Sequence, residues 1–153
     1  MHLMIVESPT KARKISSLLG SDWTVRASIG HIVDLPEHGL GIDPATYALE
    51  YKPGERGKKV LAGLKPLVKS ADTVYLATDP DREGEAIAFH LREQLKLKSY
   101  KRITFHEITA KAVEAAIAAP RALDLNLVHA QEARRALDRL IGYKVSPALS
   151  NGS

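Results

Sequence analysis

The chain has no cysteine in its 153 residues, so a disulfide or a zinc-thiolate site within it is excluded and a reducing compartment is permitted. No window approaches the 18 apolar residues that a membrane helix needs. The opening "MHLMIVESPTKARK" reaches an acidic residue, Glu7, after only a few apolar ones, so it lacks the apolar stretch of a secretory signal. With neither membrane segment nor leader, the chain reads as cytoplasmic. Glycine-rich phosphate loops of the "GxGxxG" or "GxxxxGK" kind are missing as well, which makes an ordinary nucleotide-dependent α/β enzyme a poor fit. Internal repeats and low-complexity tracts are also absent.

What is present fits a folded domain: 44% of the residues are apolar, and the length suffices for one core and the start of a second. Lysine and arginine number 22 against 18 acidic residues, giving a net charge of +4 that mildly favours a polyanionic partner. "HLMIVE" has the form of a buried parallel strand. "TKARKISSLLG" follows it with Ala12, Ile15, Leu18 and Leu19 on one helical stripe, Ser8 as cap, Pro9 in the first turn and Gly20 as stop. "WTVRASIG" alternates as a strand does, and residues 31–57 spend their glycines and prolines on a long irregular connection. A helix over 58–71 is predicted to be bent or shortened by Pro66. The strand "TVYLAT" then leads to a helix whose face carries Ala88, Leu91 and Leu95. The strand "KRITFHEI" leads to a helix capped by Thr109 and stopped by Pro120. This alternation predicts an α/β fold, a parallel sheet with helices on both faces. Beyond it, one helix is expected from about Asp124 to Ile141, ended by Gly142. These elements predict a domain over residues 1–120 and the start of a helical domain over 121–153.

The stretch "LATDPDREGEAIAFHL" crowds Asp79, Asp81, Glu83 and Glu85 around the single cation Arg82. Like charges at this spacing need a compensating positive group. In an open parallel sheet, sites form where strands end and loops lead into helices. Asp79 and Asp81 end one strand and Glu7 ends another, so neighbouring strands would bring three carboxylates to one edge. Oxygen-only ligands suit a hard cation such as Mg²⁺, which keeps waters and borrows phosphate oxygens. The same run also reads as a solvated loop plus a helix start, where acids complement the helix dipole. Glu83 and Glu85 lie in the first helical turn and suit a supporting role, behind the ligands or complementing the dipole. Spacing leaves the two readings level, and Glu7, a carboxylate closing an apolar strand, favours the metal.

The blocks "IVESPTKA", "SIGHIVDLP", "ATDPDREGEAIAFHL", "FHEIT" and "QEARRALDRLIGYKVSP" together resemble the N-terminal part of bacterial type IA DNA topoisomerases, namely a Rossmann-like Toprim domain and the start of the helical domain that follows. The acidic motif alone also occurs in primases and nucleases with Toprim domains, but five blocks in order cover nearly the whole chain. The resemblance implies an ATP-independent isomerase that relaxes negatively supercoiled DNA through a transient 5′-phosphotyrosine in one strand. It implies Glu7 as the proton-transfer group near the metal, Asp79 and Asp81 as Mg²⁺ ligands, and Lys11 at the scissile phosphate. It further implies His31, Arg134, Arg135, Asp138 and Tyr143 as contacts to single-stranded DNA.

Read without the resemblance, Lys11 is an exposed helix lysine and His31 a turn residue. Arg134 and Asp138, four apart, form either a phosphate grip or a surface ion pair. Arg82 can neutralise its neighbours or approach a phosphate. Two departures stand out. "SPALSNGS" places Ser150 near where the family carries an aromatic, and none of Tyr47, Tyr51, Tyr75, Tyr100 or Tyr143 lies in the family's nucleophile motif. The chain is therefore expected to depend on the remaining domains of a longer enzyme and to be inactive alone. The rival expectations are a Toprim nuclease or primase, and a non-catalytic nucleic-acid-binding module.

Overall fold

A computed structural model describes the backbone of residues 1–28, 33–34 and 52–152, and side chains within 1–28 and 54–138. In chain order the elements are β1 (His2–Val6), α1 (Pro9–Leu18), β2 (Trp23–Ala27), β3 (Val33–Asp34), β4 (Lys52–Pro53) and α2 (Glu55–Ser70). After these come β5 (Thr73–Leu76), α3 (Arg82–Gln94), β6 (Lys101–Arg102), α4 (Ala110–Ala118) and α5 (Leu125–Gly152). Four strands form a parallel sheet in the order β2-β1-β5-β6, and β3 pairs antiparallel with β4 apart from it.

Both faces of the sheet are covered, which is why its strands read as continuous apolar runs. Leu3, Ile5, Val74 and Leu76 point to one face, against Leu61 and Leu64 of α2 and Ile87, Ala88 and Leu91 of α3. Met4, Val6, Val25 and Tyr75 point to the other, against Ala12 and Ile15 of α1 and Val113 and Ala116 of α4. Burying each large aliphatic of this kind contributes about 1.5–3 kcal/mol. Helix α5 packs on α3, with Val128 fully buried.

The chain leaves β1 toward β2 on one side and leaves β5 toward β6 on the other, so the switch point of the sheet lies between β1 and β5. Crevices at such points, beyond the carboxyl ends of the strands, are where open α/β sheets bind ligands. Ala77 N–H donates to Ile5 O at 2.9 Å, so the exits of the two strands lie side by side.

The paired strands β3 and β4 lie within the connection expected to be irregular, and four further elements differ from expectation. Helix α2 starts earlier, at Glu55 after Gly54, and runs through Pro66 to Ser70 without being shortened. The fourth predicted strand, "KRITFHEI", shrinks to Lys101–Arg102, and the Arg102 side chain donates to the Leu76 and Thr78 carbonyls at this edge. Helix α1 ends at an extended cap, Leu19, before Gly20. Helix α5 continues through Gly142 to Gly152, since an interior glycine costs only about 1 kcal/mol and does not force a stop.

Candidate active site

Glu7 follows β1 directly, and Lys11 lies one turn into α1, whose N-terminus is capped by the Ser8 hydroxyl accepting from Lys11 N–H at 3.2 Å. That cap fixes where α1 starts and hence which side chain lies four residues beyond Glu7. Lys11 is not the exposed lysine that its helical position suggested: its side chain is only 12% accessible. The ammonium forms an ion pair with Glu7 Oε1 at 2.7 Å and donates to Asp79 Oδ1 at 3.1 Å and to Ala77 O at 3.3 Å. It also lies 5.0 Å from the centre of the Phe105 ring, a cation–π contact that holds it from below. Asp79 N–H donates to Glu7 Oε2 at 2.8 Å. Lys11 thus compensates Glu7 and Asp79 where the two strands end.

Asp81 does different work. Its carboxylate caps α3, accepting from Gly84 N–H at 2.7 Å. Glu7 and Asp79 are thus joined at the strand ends, while the Asp81 carboxylate accepts at the start of α3 beside them. Among the described residues no three acidic or histidine side chains are grouped closely enough to hold an ion together. Gly84 lets the loop fold this tightly: a Cβ there would lie 1.9 Å from Asp79 O and 2.8 Å from Asp79 N. The Thr78 hydroxyl fastens the same turn, donating to Gly84 O at 2.6 Å.

Two carboxylates and a capping one still fit a divalent metal in their chemistry. Mg²⁺ uses one or two protein carboxylates plus waters and phosphate oxygens, and seldom an all-protein cage. Asp79, with its side chain half exposed, is open to such an ion, and Glu7 and Asp81 flank it.

Glu85, expected to support the site from behind the ligands or to complement the helix dipole, is a fully buried ion-pair centre. It accepts from Arg102 at 2.9 Å, from Arg121 in a short contact, and from Asp124 N–H at 3.1 Å. Burial pushes the Glu85 carboxyl up, but the bonds from Arg121 and Arg102 outweigh it and hold it below the ordinary glutamate range. Burial pulls Arg102 below the usual arginine range against the opposing pull of Glu85. Arg102, Arg121 and Phe105 are the residues that sequence reasoning missed. The signal was present for Glu85, which falls on the same helical stripe as Ala88 and Leu91 and so had to meet a buried cation.

Helix α5 brings Gln131 and Arg134 to a cleft of about 380 Å³ shared with Asp81, Arg82 and Glu83. Arg134 and Asp138 are both exposed, and among the described residues no ion pair joins them, as expected for a surface pair with little to gain. Arg135 is partly buried. His31 and the side chains of Tyr143 and Ser150 lie outside the described residues.

A parallel sheet with an acidic pair and a lysine at its switch point, followed by a capped "DPDREG" turn, defines a class. Residues 2–108 match the Toprim domain, and the chain belongs to that family. Within it, the chain is 56% identical over 150 residues to "DNA topoisomerase I, plasmid" of Xylella fastidiosa (strain 9a5c), a match that covers 98% of this chain and 23% of that protein. It is 49% identical over 151 residues to DNA topoisomerase 1 of Aquifex aeolicus (strain VF5), covering 97% and 28%. Full-length topoisomerase I from Thermotoga maritima shares the fold at a TM-score of 0.88 and 42% identity, over 96% of this chain and 26% of its own. The chain spans about a quarter of the length of these relatives. Toprim domains bind a divalent metal.

Proposed function

We propose that the chain is the Mg²⁺- and DNA-binding portion of a type IA DNA topoisomerase, which relaxes negatively supercoiled DNA by transient cleavage of one strand through a 5′-phosphotyrosine. The observation that carries this reading is the Glu7–Lys11–Asp79 assembly at the switch point, within a chain similar along nearly its whole length to DNA topoisomerases I. Mg²⁺, held by Asp79 with Asp81 and Glu7 beside it, would supply positive charge to the phosphate as it is attacked. Lys11 reaches the same edge and offsets charge on the non-bridging oxygens. Glu7, a carboxylate fixed by Asp79 N–H and Lys11, relays a proton from solvent to the departing 3′-oxygen while the tyrosine hydroxyl gives its own up to solvent, and it takes the 3′-hydroxyl proton on resealing. Arg82 and Arg134 face the cleft where the flanking backbone of a single strand can lie. The tyrosine comes from the remaining domains of the enzyme.

A chimaera tests this. Residues 1–153 replace the matching segment of the Xylella plasmid topoisomerase I, and relaxation of negatively supercoiled plasmid is followed with Mg²⁺. The expected result is an active chimaera that Glu7→Ala silences while the isolated 153-residue chain relaxes nothing. A Glu7→Ala chimaera as active as its parent contradicts the reading.

A further inference from the structure

Arg102 has a guanidinium sealed from solvent at the carboxyl end of the sheet, although it is not one of the residues that hold the phosphate or the metal. It donates to Leu76 O at 3.1 Å, Thr78 O at 2.7 Å, Ile103 O at 2.8 Å and Asp79 O at 2.8 Å, and to Glu85 Oε1 at 2.9 Å. Three of those carbonyls belong to the strand end and turn that deliver Asp79. The Asp79 main chain is thereby gripped twice, its N–H by Glu7 and its C=O by Arg102. On its far side Glu85 is completed by Arg121 and Asp124 N–H, the residues that lead into α5. Asp124 also accepts from Leu127 N–H at 3.2 Å, which fixes the first turn of that helix. Helix α5 is the element that carries Gln131 and Arg134 to the cleft opposite Asp81. A fully buried ion cluster is seldom the most stable way to fill such a space, whereas a charged fork bonded through both terminal nitrogens locks one geometry.

We propose that Arg102, Glu85 and Arg121 form a positioning array that ties the acidic turn to α5, so that divalent-metal binding at Asp79 and DNA-backbone binding beside Arg134 strengthen each other. The array acts through the Asp79 peptide on one side and the start of α5 on the other. The inference rests on the metal- and DNA-binding reading given above.

The experiment uses the 153-residue chain and measures the affinity of a short single-stranded oligonucleotide by fluorescence anisotropy, with and without Mg²⁺. Arg121→Ala is the informative variant, because this side chain is one-third exposed and its loss leaves the Arg102–Glu85 pair intact. The wild type is expected to bind DNA more tightly with Mg²⁺. In Arg121→Ala that enhancement should fall by about five- to tenfold, the low end of the usual coupling between sites, with Mg²⁺-free affinity and thermal midpoint nearly unchanged. Arg121→Lys should recover part of it. Full enhancement in Arg121→Ala, or an equal loss with and without Mg²⁺, overturns the proposal. Asp79→Asn separates the two levels. If it removes the enhancement and Arg121→Ala does not, only the array fails. If the wild type shows no enhancement at all, the array and the reading beneath it both fail.

Discussion

Gly84 and Glu85, adjacent in sequence, show how much of the site is settled by single residues. Gly84 packs where a methyl group would overlap the Asp79 main chain, so the obstruction is backbone and cannot swing aside. Gly84→Ala is expected to destabilise the chain by about 2–3 kcal/mol, the cost of overpacking a rigid site, read as a lowered midpoint in urea unfolding. Glu85 supplies a pH signature. Its carboxyl is held below the ordinary range in the folded chain, so the unfolded chain binds the proton more readily, and the stability it contributes is complete above the ordinary glutamate pKa near 4.5. That contribution is lost as pH falls below this value and through the lowered folded pKa. Thermal melts between pH 3 and pH 7 should therefore show Glu85→Gln less stable than wild type at neutral pH, with the gap narrowing as the medium becomes more acidic. A gap that widens toward low pH contradicts the assignment.

At the scale of elements, local rules carried the reading until a side chain or a tolerance intervened. The apolar runs of β1 and β5, the Ser8 and Thr109 caps and the stripe of α3 were legible, because each follows from periodicity or a capping bond; of the α1 stripe, Ala12 and Ile15 are buried while Leu18 is exposed. Pro66 and Gly142 were misleading because both cost a helix something without ending it when packing or neighbouring turns compensate. The shortness of β6 was not legible, since how far it pairs with β5 is set by the sheet and not by its own apolar run. The end of α3 carries a strain of its own. Lys96 has φ of 53°, a left-handed conformation that costs a side chain about 1 kcal/mol and a glycine very little. Lys96→Gly is expected to stabilise the chain by about 0.5–1 kcal/mol, the gain being reduced by the extra freedom of glycine in the unfolded chain. Differential scanning calorimetry checks it, and a lowered midpoint contradicts it.

At the scale of the whole molecule, the sheet order β2-β1-β5-β6 does what no segment can do alone by setting the Glu7 and Asp79 exits side by side. Sequence placed both acids at strand ends but did not reveal that Lys11 would sit between them or that Asp81 would serve as a cap, since both depend on how α1 and α3 meet the sheet. On the proposed function, the acidic turn is a divalent-metal site held ready by the surrounding scaffold. Its most direct test is calorimetric titration of Mg²⁺ into the chain and into the double variant Asp79→Asn, Asp81→Asn. Asparagine caps a helix about as well as aspartate, so the α3 start and the fold should survive while the ligand charge is removed. The expected result is Mg²⁺ binding by the wild type that weakens at least tenfold in the variant at an unchanged circular dichroism spectrum. Equal affinity in the two chains would contradict it.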